Sequence, residues 1–351
     1  MTSSCERNLQ RIRIGSREIG DGQPPFVIAE VGINHNGDVN LAKQMVLAAK
    51  EAGAHCIKFQ THLTGKEMIH TQMTPGAISK EPLWDIITRC ELTATEERAV
   101  KRLCDEVGIL FLSTPFSREA ADQLEELGIP AYKIGSGEIT NLPLIEHVAK
   151  KGLPMIVSTG MTELDEIAET VNLIERYNVP LILLQCTSTY PTAYADVKLG
   201  AIQVLRERFG VPVGLSDHSV GIYTALGAVA KGACVLEKHF TTSRQLPGPD
   251  QGLSLEPHEL KELVKGADAI YQALGSEKAI LGKERPVLGF ARASVVVIKP
   301  VAAGDRFTDD NLWVKRPADG EIPAREYKKL LGRVAKVSMQ PDHQIKWSEV
   351  A

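Results

Sequence analysis

The feature of the sequence that most restricts its fold is a series of eight short apolar runs, each followed by a segment with helical periodicity. The runs begin near residues 26, 55, 109, 131, 154, 181, 212 and 233. Successive starts lie 21 to 31 residues apart, except for one interval of 54 residues. Strands that are apolar throughout are typical of a parallel sheet buried on both faces. The pattern therefore predicts an α/β fold, a TIM (β/α)8 barrel, with an open doubly wound sheet as the alternative.

The segments between the apolar runs have the spacing and the end signals of helices. The 54-residue interval between the second and third runs indicates an insertion in that unit. Helices are predicted over residues 39–52, 96–107, 118–127 and 164–177, with Thr162 as the N-cap of the last.

After residue 282 the sequence changes to strand-like runs separated by Gly and Asp turns. The preceding stretch, residues 273–289, contains three glycines and a proline among charged residues, which is typical of a linker. We therefore predict two domains. Residues 1–281 form the barrel, with the first ~20 residues as a lead-in segment, and residues 282–351 form the linker and a small β-rich domain.

Charge and composition argue against two classes of partner. The chain has 40 Lys and Arg against 44 Asp and Glu, without a dense basic block, so a nucleic-acid partner is not expected. It contains no apolar segment of the length that crosses a bilayer and no secretory signal pattern, so neither membrane insertion nor export is expected. The six cysteines lack C-x-x-C spacing, which favours a reduced, cytoplasmic protein.

Nearly every apolar run ends in polar residues, and in a barrel the carboxyl ends of all strands meet at one mouth. Any single one of these residues could simply be a buried ion-pair or hydrogen-bond partner, but a complete ring at one end indicates a functional site. The ring comprises Glu30, Asn34, Lys58, Gln60, Ser113, Thr114, Lys133, Ser136, Glu138, Ser158, Thr159, Gln185, Thr187, Tyr190, Asp217, His218, Glu237, Lys238 and His239.

Two histidines of this ring are candidate metal ligands. His218 and His239 lie 21 residues apart, at equivalent places on neighbouring predicted strands. Because such strands are about 4.8 Å apart, two imidazoles could share one cation. Packed, hydrogen-bonded histidines are the alternative. Two neutral nitrogens with oxygen donors would form an open site suited to Mn²⁺ or Mg²⁺.

Two lysines and several hydroxyls of the ring are candidate anion ligands. Lys58 and Lys133, together with Thr114, Ser136 and Ser158, could hold a phosphate and a carboxylate. The Gly-Ser-Gly turn around Ser136 adds backbone N–H groups that could approach an anion. The set favours a small anionic ligand.

Several motifs in this order resemble the sialic acid synthase family, and the resemblance covers almost the whole chain. Residues 290–351, with NLWVKRP at 311–317, resemble that family's SAF, or antifreeze-like, domain. The other motifs are IAEVGINHNGD (28–38), IKFQTH (57–62), STPFSREAADQL (113–124), YKIGSGE (132–138), STGM (158–161), CTSTYPT (186–192), GLSDHS (214–219) and LEKHFT (236–241).

The resemblance implies a transferase of sialic acid biosynthesis that forms a carbon–carbon bond. It would condense phosphoenolpyruvate with N-acetylmannosamine and water, giving N-acetylneuraminate and phosphate. The implied cofactor is a divalent cation, Mn²⁺ first and Mg²⁺ or Co²⁺ as alternatives. The implied assembly is a domain-swapped homodimer in which the SAF domain of one chain caps the barrel of the other.

The resemblance also implies roles for particular residues. His218 and His239 match metal ligands, and Glu30 and Glu138 match acidic residues between the two substrates. The residues that match the phosphoenolpyruvate site are Lys58, Thr114, Lys133, Ser136 and Ser158. The residues that match the amino-sugar site are Gln60, Tyr190, Asp250 and, from the partner chain, Arg316.

Alternatives remain at this point. Ser188 and Ala77 stand where some relatives carry Asn, so the acceptor could instead be 2,4-diacetamido-2,4,6-trideoxymannose, which leads to legionaminic acid. The first motif reads AEVGINH, which differs from the AEMSANH-like sequence associated with pseudaminic acid synthases, so that product is less favoured. Strand-end lysines would also suit a Schiff-base pyruvate aldolase. A non-catalytic carbohydrate-binding or ice-binding protein has no use for a full ring of ionisable groups.

Overall fold

The computed structural model describes residues 10–76 and 79–351 and divides into two compact units, Met1–Leu274 and Gly275–Ala351. Ala77 lies outside the described residues. The strands are β1 (Arg11–Ile14), β2 (Arg17–Gly20), β3 (Phe26–Gly32), β4 (Cys56–Thr61), β5 (Leu110–Pro115), β6 (Tyr132–Ile134), β7 (Met155–Ser158), β8 (Leu181–Cys186), β9 (Val213–Asp217), β10 (Val235–His239), β11 (Ser294–Val297) and β12 (Leu312–Lys315).

Helices alternate with the strands of the first unit and are short in the second. They are α1 (Val39–Glu51), α2 (Thr64–Glu67), α3 (Leu83–Cys90), α4 (Ala94–Val107), α5 (Arg118–Leu127), α6 (Leu142–Ala149), α7 (Leu164–Glu175), α8 (Ala201–Phe209), α9 (Tyr223–Ala230), α10 (Pro257–Gln272), α11 (Arg285–Ala291) and α12 (Tyr327–Leu330).

In the described part of the first unit, eight parallel strands form the barrel. Their order is β5-β4-β3-β10-β9-β8-β7-β6, and the two end strands, β5 and β6, pack side by side. The prediction of a TIM barrel is confirmed. The long second interval holds α2 and α3 in addition to the helix expected there.

Two apolar layers hold the barrel together, and successive residues of each strand enter different layers. On β3, Val27, Ala29 and Val31 pack outward against the helices, whereas Phe26 and Ile28 point into the lumen. This alternation follows from the period of two in a strand. The lumen is therefore apolar towards the amino ends of the strands, and polar residues replace the apolar ones only at their carboxyl ends.

The predicted lead-in segment has a structure that the sequence interpretation missed. Residues 11–20 form an antiparallel hairpin, β1 and β2, whose side chains Ile12, Ile14 and Ile19 join the apolar cluster inside the barrel. The signal was present in the sequence, because Arg-Ile-Arg-Ile alternates and a Gly-Ser pair follows it.

The predicted N-cap of helix α7 is wrong. Glu163 occupies that position, and its backbone N–H donates to Oε2 of Glu166 at 2.8 Å. The hydroxyl of Thr162 instead donates to the carbonyl of Thr159 at 2.8 Å. Thr162 is therefore a residue of the preceding turn.

The second unit has its own apolar core. β11 and β12 pair antiparallel, and residues such as Phe307, Leu312 and Ile322 are fully buried in one cluster. The segment predicted as a linker contains helix α11 within an exposed stretch. No helix in the described ranges has both the length and the apolar character that a membrane span requires.

Candidate active site

A cavity of about 430 Å³ opens at the carboxyl ends of the barrel strands, and every barrel strand contributes to its lining. The alternation along the strands explains this, because the inward-facing residues at the carboxyl ends of the strands are mostly polar. The predicted site residues that line it are Glu30, Lys58, Gln60, Thr114, Lys133, Ser136, Ser158, Tyr190, His218 and His239.

Lys58 is at one side of a buried charge cluster. Its Nζ lies 2.7 Å from Oε2 of Glu30 and donates to the hydroxyl of Thr114 at 3.0 Å. The same nitrogen is 4.0 Å from Oε2 of Glu237. Burial opposes its charge, but Glu237 and Glu30 outweigh burial and raise the pKa of Lys58. Lys58 is therefore a stable cation in the lumen.

Lys133, on β6 and two strands away from Lys58, completes the cluster. Its Nζ donates to Oγ of Ser158 at 2.7 Å and to the carbonyl of Ile134 at 2.9 Å, and it lies 3.6 Å from Oε1 of Glu237. Burial lowers the pKa of Lys133, only partly offset by Glu237. An anion placed beside this nitrogen would restore the stabilisation that burial removes.

The two carboxylates of the cluster differ in electrostatic state. Burial raises the pKa of Glu30 to about 7, although Lys58 partly opposes this. Burial acts on Glu237 in the same direction, but Lys133 and Lys58 outweigh it, and the pKa of Glu237 is lowered. Glu30 can therefore exchange a proton near neutral pH, whereas Glu237 remains ionised.

Glu237 is a residue that the sequence interpretation left out of its predicted site. Its Oε1 accepts from the Ser216 hydroxyl at 3.0 Å, while its Oε2 is buried without a hydrogen-bond partner. Glu237 belongs to the predicted strand-end ring, but Glu237, Lys238 and His239 are three consecutive ionisable residues, and the residue types alone do not show that Glu237 faces the site. The period of two selects it, because Glu237 and His239 share the inward face.

The two histidines are neighbours across β9 and β10, with ring centroids 5.4 Å apart. Nδ1 of His218 lies 3.0 Å from the carbonyl of Thr187, and a carbonyl can only accept, so this nitrogen carries a proton, and Nε2 has no hydrogen-bond partner among the described residues. Burial opposes the charge of the ring, but Cys186 and the Thr187 carbonyl outweigh burial and raise the pKa of His218. Nδ1 of His239 is buried without a hydrogen-bond partner, 4.0 Å from Oδ2 of Asp250. Burial lowers the pKa of His239, with His218 acting in the same direction.

Three other predicted residues surround the histidines and Glu30. The ring of Tyr190 lies against His218, with centroids 4.2 Å apart. Gln60 donates to Oε1 of Glu30 at 3.2 Å and thus orients that carboxylate. Burial raises the pKa of Asp250 to about 6, and its loop places it at the edge of this site.

Three predicted site residues do not line the cavity: Asp250, which lies beside His239, and Glu138 and Arg316. Glu138 follows the Gly-Ser-Gly turn, and its Oε2 accepts from Asn141 at 2.7 Å, so the turn directs it towards the start of α6. Glu138 therefore does not line the cavity, and its predicted role between the substrates stays a prediction. Arg316 belongs to the second unit, just after β12, and its role towards a barrel stays a prediction.

A further group of potential metal ligands, Glu256, His258 and Glu259, lies at the start of α10. Both carboxylates are already engaged. Oε1 of Glu256 accepts from the backbone N–H of Arg244, and Oε2 of Glu259 accepts from the Arg244 guanidinium at 2.7 Å. These residues cap the helix and fasten the loop that precedes it.

The fold and the cavity together define a barrel with two buried lysines and a pair of imidazoles at one mouth. The sequence matches the NeuB family over residues 45–279 and the SAF domain over residues 292–351. The chain belongs to the NeuB family. The predicted family resemblance and the predicted class, a carbon–carbon bond-forming transferase that makes a sialic-acid-like sugar, are confirmed.

Individual relatives extend over nearly the whole chain. It is 37% identical to the N,N'-diacetyllegionaminic acid synthase of Legionella pneumophila, with 96% of this chain and 97% of the relative covered. It is 40% identical to the enzyme of that name from Campylobacter jejuni, with 92% and 98% covered. The crystal structure of N-acetylneuraminic acid synthetase from Leptospira borgpetersenii superposes with a TM-score of 0.73 at 36% identity, covering 80% of this chain and 95% of that one.

Proposed function

We propose that the protein condenses phosphoenolpyruvate with the aldehyde of an N-acetylated amino sugar and water, releasing phosphate and a nine-carbon sugar acid. The observation that carries this proposal is the convergence of Lys58, Lys133, Glu30 and Glu237 in one buried cluster beside the two histidines. A cluster with buried, incompletely bonded polar atoms is costly to the fold, and such clusters are retained at functional sites.

The lysines are suited to the two anionic groups of phosphoenolpyruvate. Lys58 and Lys133 each lie near a different carboxylate oxygen of Glu237, and each bonds a hydroxyl, Thr114 or Ser158. Such charge-assisted contacts would hold the phosphate and the carboxylate at fixed positions. Fixing both reactants in one cavity removes much of the entropic barrier to their reaction.

The chemistry requires a carbon–carbon bond and a carbon–oxygen bond to water to form, and the carbon–oxygen bond to phosphate to break. The methylene carbon of phosphoenolpyruvate bonds to the aldehyde carbon, and the aldehyde oxygen gains a proton. Water adds to the neighbouring carbon and loses one proton, and phosphate then leaves with its bridging oxygen as the new hydroxyl gives up its proton and becomes the keto group. Glu30 is the proposed acceptor of the water proton, because its pKa of about 7 suits reversible transfer. Glu237 stabilises the positive charge that develops at that carbon.

The residues at the mouth also fit a divalent cation. The free Nε2 of His218, the unbonded Nδ1 of His239 and the nearby carboxylate of Asp250 provide two nitrogen donors and one oxygen donor. This donor set suits Mn²⁺, and Mg²⁺ or Co²⁺ are alternatives. When bound, such a cation supplies Lewis-acid polarisation of a carbonyl oxygen.

Two acceptors are candidates, and the three relatives described above divide between them. N-acetylmannosamine would give N-acetylneuraminate, the product that the name of the Leptospira structure indicates. The diacetamido trideoxy sugar would give legionaminic acid, the product in the names of the Legionella and Campylobacter relatives. We keep N-acetylmannosamine as the first candidate acceptor and treat the diacetamido sugar as the second.

The test is turnover of both acceptors in parallel with phosphoenolpyruvate and Mn²⁺. We expect phosphate release that depends on the acceptor, and a product whose mass is that of both substrates plus water minus phosphate. The variant Lys133→Met is the control and should release little phosphate. A covalent pyruvate adduct after borohydride reduction, without phosphate release, would support the aldolase alternative instead.

We also propose that the active assembly is a cytoplasmic, domain-swapped homodimer in which Arg316 of each chain serves the barrel of its partner. The five cysteines within the described ranges are free thiols, which suits a reducing compartment. Mixing Arg316→Ala and Lys133→Met chains tests the swap. Statistical exchange should restore about one quarter of wild-type turnover. Mixed chains that stay inactive would contradict the swap.

A further inference from the structure

A second buried lysine–carboxylate pair lies at the ends of β9 and β10, on the outer side of the barrel. Lys238 and Asp217 are direct cross-strand neighbours, and their side chains are 0% and 1% exposed. Neither lines the cavity, because Glu237 and His239 take the inward positions on either side of Lys238. The pair therefore has no direct access to a substrate.

Each charged atom of the pair has a hydrogen-bond partner, and the pair connects three segments. Nζ of Lys238 donates to Oδ2 of Asp217 at 3.1 Å and to the carbonyl of Ser219 at 2.5 Å. Oδ1 of Asp217 accepts from the backbone N–H of Ser219 at 2.9 Å, and Oδ2 accepts from the hydroxyl of Thr224 on α9 at 2.6 Å. These bonds link Asp217 and Ser219, which flank His218, to Lys238, which precedes His239.

We propose that Lys238 and Asp217 are positioning residues that set the separation and orientation of the imidazoles of His218 and His239. The inference deepens the proposed function, since it concerns the same pair of histidines. Each histidine follows its anchoring residue by one position, so a shift of either strand end would be transmitted directly to a ring. The carbonyl of Thr187 holds one nitrogen of His218, but nothing comparable holds Nδ1 of His239.

A similar outer network on the other side of the barrel provides a matched control. The carboxylate of Glu97 accepts from the hydroxyl of Thr61 at the end of β4 and from the amide of Gln123 at 2.8 Å. The hydroxyls of Thr61 and Ser113 lie 2.6 Å apart and connect β4 to β5. Glu97→Gln therefore perturbs an outer strand-end network that contains neither histidine.

The first test reads the imidazoles themselves, without any cation. The ring signals of His218 and His239 are assigned by substitution in protein with isotopically labelled histidine. In the double variant Asp217→Asn with Lys238→Met we expect both ring signals to shift, whereas Glu97→Gln leaves them unchanged. Unchanged signals in the double variant would overturn the proposal. Should that variant fail to fold, Thr224→Val, which keeps both charges, is read in the same way.

The second test measures Mn²⁺ binding to the free protein by calorimetry. We expect the double variant to bind Mn²⁺ at least about 10-fold more weakly, with Glu97→Gln within about twofold of wild type. Equal affinity in the double variant and wild type would contradict the proposal. If the His218→Ala variant binds Mn²⁺ as tightly as wild type, the metal site of the proposed function is wrong. The ring signals of the first test would still decide the positioning role.

Discussion

Buried lysines lie on both the inner and the outer side of these strand ends, but the two sides differ in whether their buried polar atoms have hydrogen-bond partners. Outside, Lys238 and Asp217 satisfy each other completely together with Ser219 and Thr224. Inside, Oε2 of Glu237 and Nδ1 of His239 are buried without hydrogen-bond partners. On the outer side of β10 the protein itself supplies the hydrogen-bond partners. On the inner side, two buried polar atoms would gain partners only from a bound ligand.

This difference separates stability from chemistry within a few residues of one strand. A buried pair with all its bonds contributes order, and breaking it leaves an uncompensated charge. A buried cluster with unbonded atoms opposes folding and is useful when a ligand supplies the missing partners. Substitutions on the inner side should therefore affect mainly turnover, whereas substitutions on the outer side should affect stability and, through His218 and His239, cation binding.

The largest expected effect is on turnover from the inner side. Replacing Lys133 with Met removes a cation that the phosphoenolpyruvate anion would contact, and we expect kcat/KM to fall by about 10²- to 10³-fold. The free energy of unfolding should change little, because burial already opposes the charge of Lys133. Phosphate-release kinetics and urea unfolding measure the two quantities. A variant that loses stability in proportion to activity would contradict the separation.

The next effect is on stability from the outer side. Asp217→Ala leaves Lys238 buried without its counterion, and we expect the free energy of unfolding to fall by about 3–5 kcal/mol. Glu237→Gln, one residue away on the inner face, should cost much less, because both lysines retain hydroxyl partners and Lys58 keeps Glu30. Urea unfolding of both variants makes the comparison. Equal losses would show that the two sides are not distinct.

Acid should destabilise the fold through an outer histidine. Burial lowers the pKa of His35 to about 4, with His62 acting in the same direction. Above the ordinary value of 6.5 the ring is neutral in both states, and as pH falls the unfolded chain binds its proton first. Stability is thus lost from about pH 6.5 downward, by about 2 kcal/mol at pH 5 for this group.

The variant His35→Asn measures that contribution. Nδ1 of His35 accepts from the backbone N–H of Gly37, and the amide oxygen of Asn can take over this role. Unfolding in urea at pH 7 and pH 5 should show a smaller acid loss in the variant than in wild type. An identical pH dependence would mean that His35 is not the group that titrates.

The smallest effect should come from an exposed helix cap far from either cluster. Thr93 begins α4 with a reciprocal capping box, in which its hydroxyl accepts from the backbone N–H of Glu96. Thr93→Ala should lower the free energy of unfolding by about 1 kcal/mol and leave turnover unchanged. A measurable change in kcat would be contrary to this expectation.

The sequence was sufficient for the barrel but only partly sufficient for the site. Eight apolar runs predict the strands, and the polar residues at their ends predict which mouth carries the cavity. The direction of a side chain was harder to predict, because strands buried on both faces lack the alternation that reveals it. Lys238 and Glu237 are adjacent and both ionisable, and only their parity relative to Ile28 and Val235 in the lumen separates them.

Local turn geometry accounts for the other differences. Glu138 follows a Gly-Ser-Gly turn whose direction depends on contacts with Asn141, which no pattern of residue types specifies. The hairpin of residues 11–20 was missed because each strand is only four residues long, although its alternation was visible.

The crystal structure of the protein with phosphoenolpyruvate bound tests the central claim most directly. The account predicts that the phosphate and carboxylate oxygens lie within hydrogen-bond distance of Lys58 and Lys133, with the methylene carbon facing the space before His218 and His239. Phosphoenolpyruvate bound outside the lumen, or in contact with neither lysine, would contradict the claim that the inner side of the strand ends is the catalytic side.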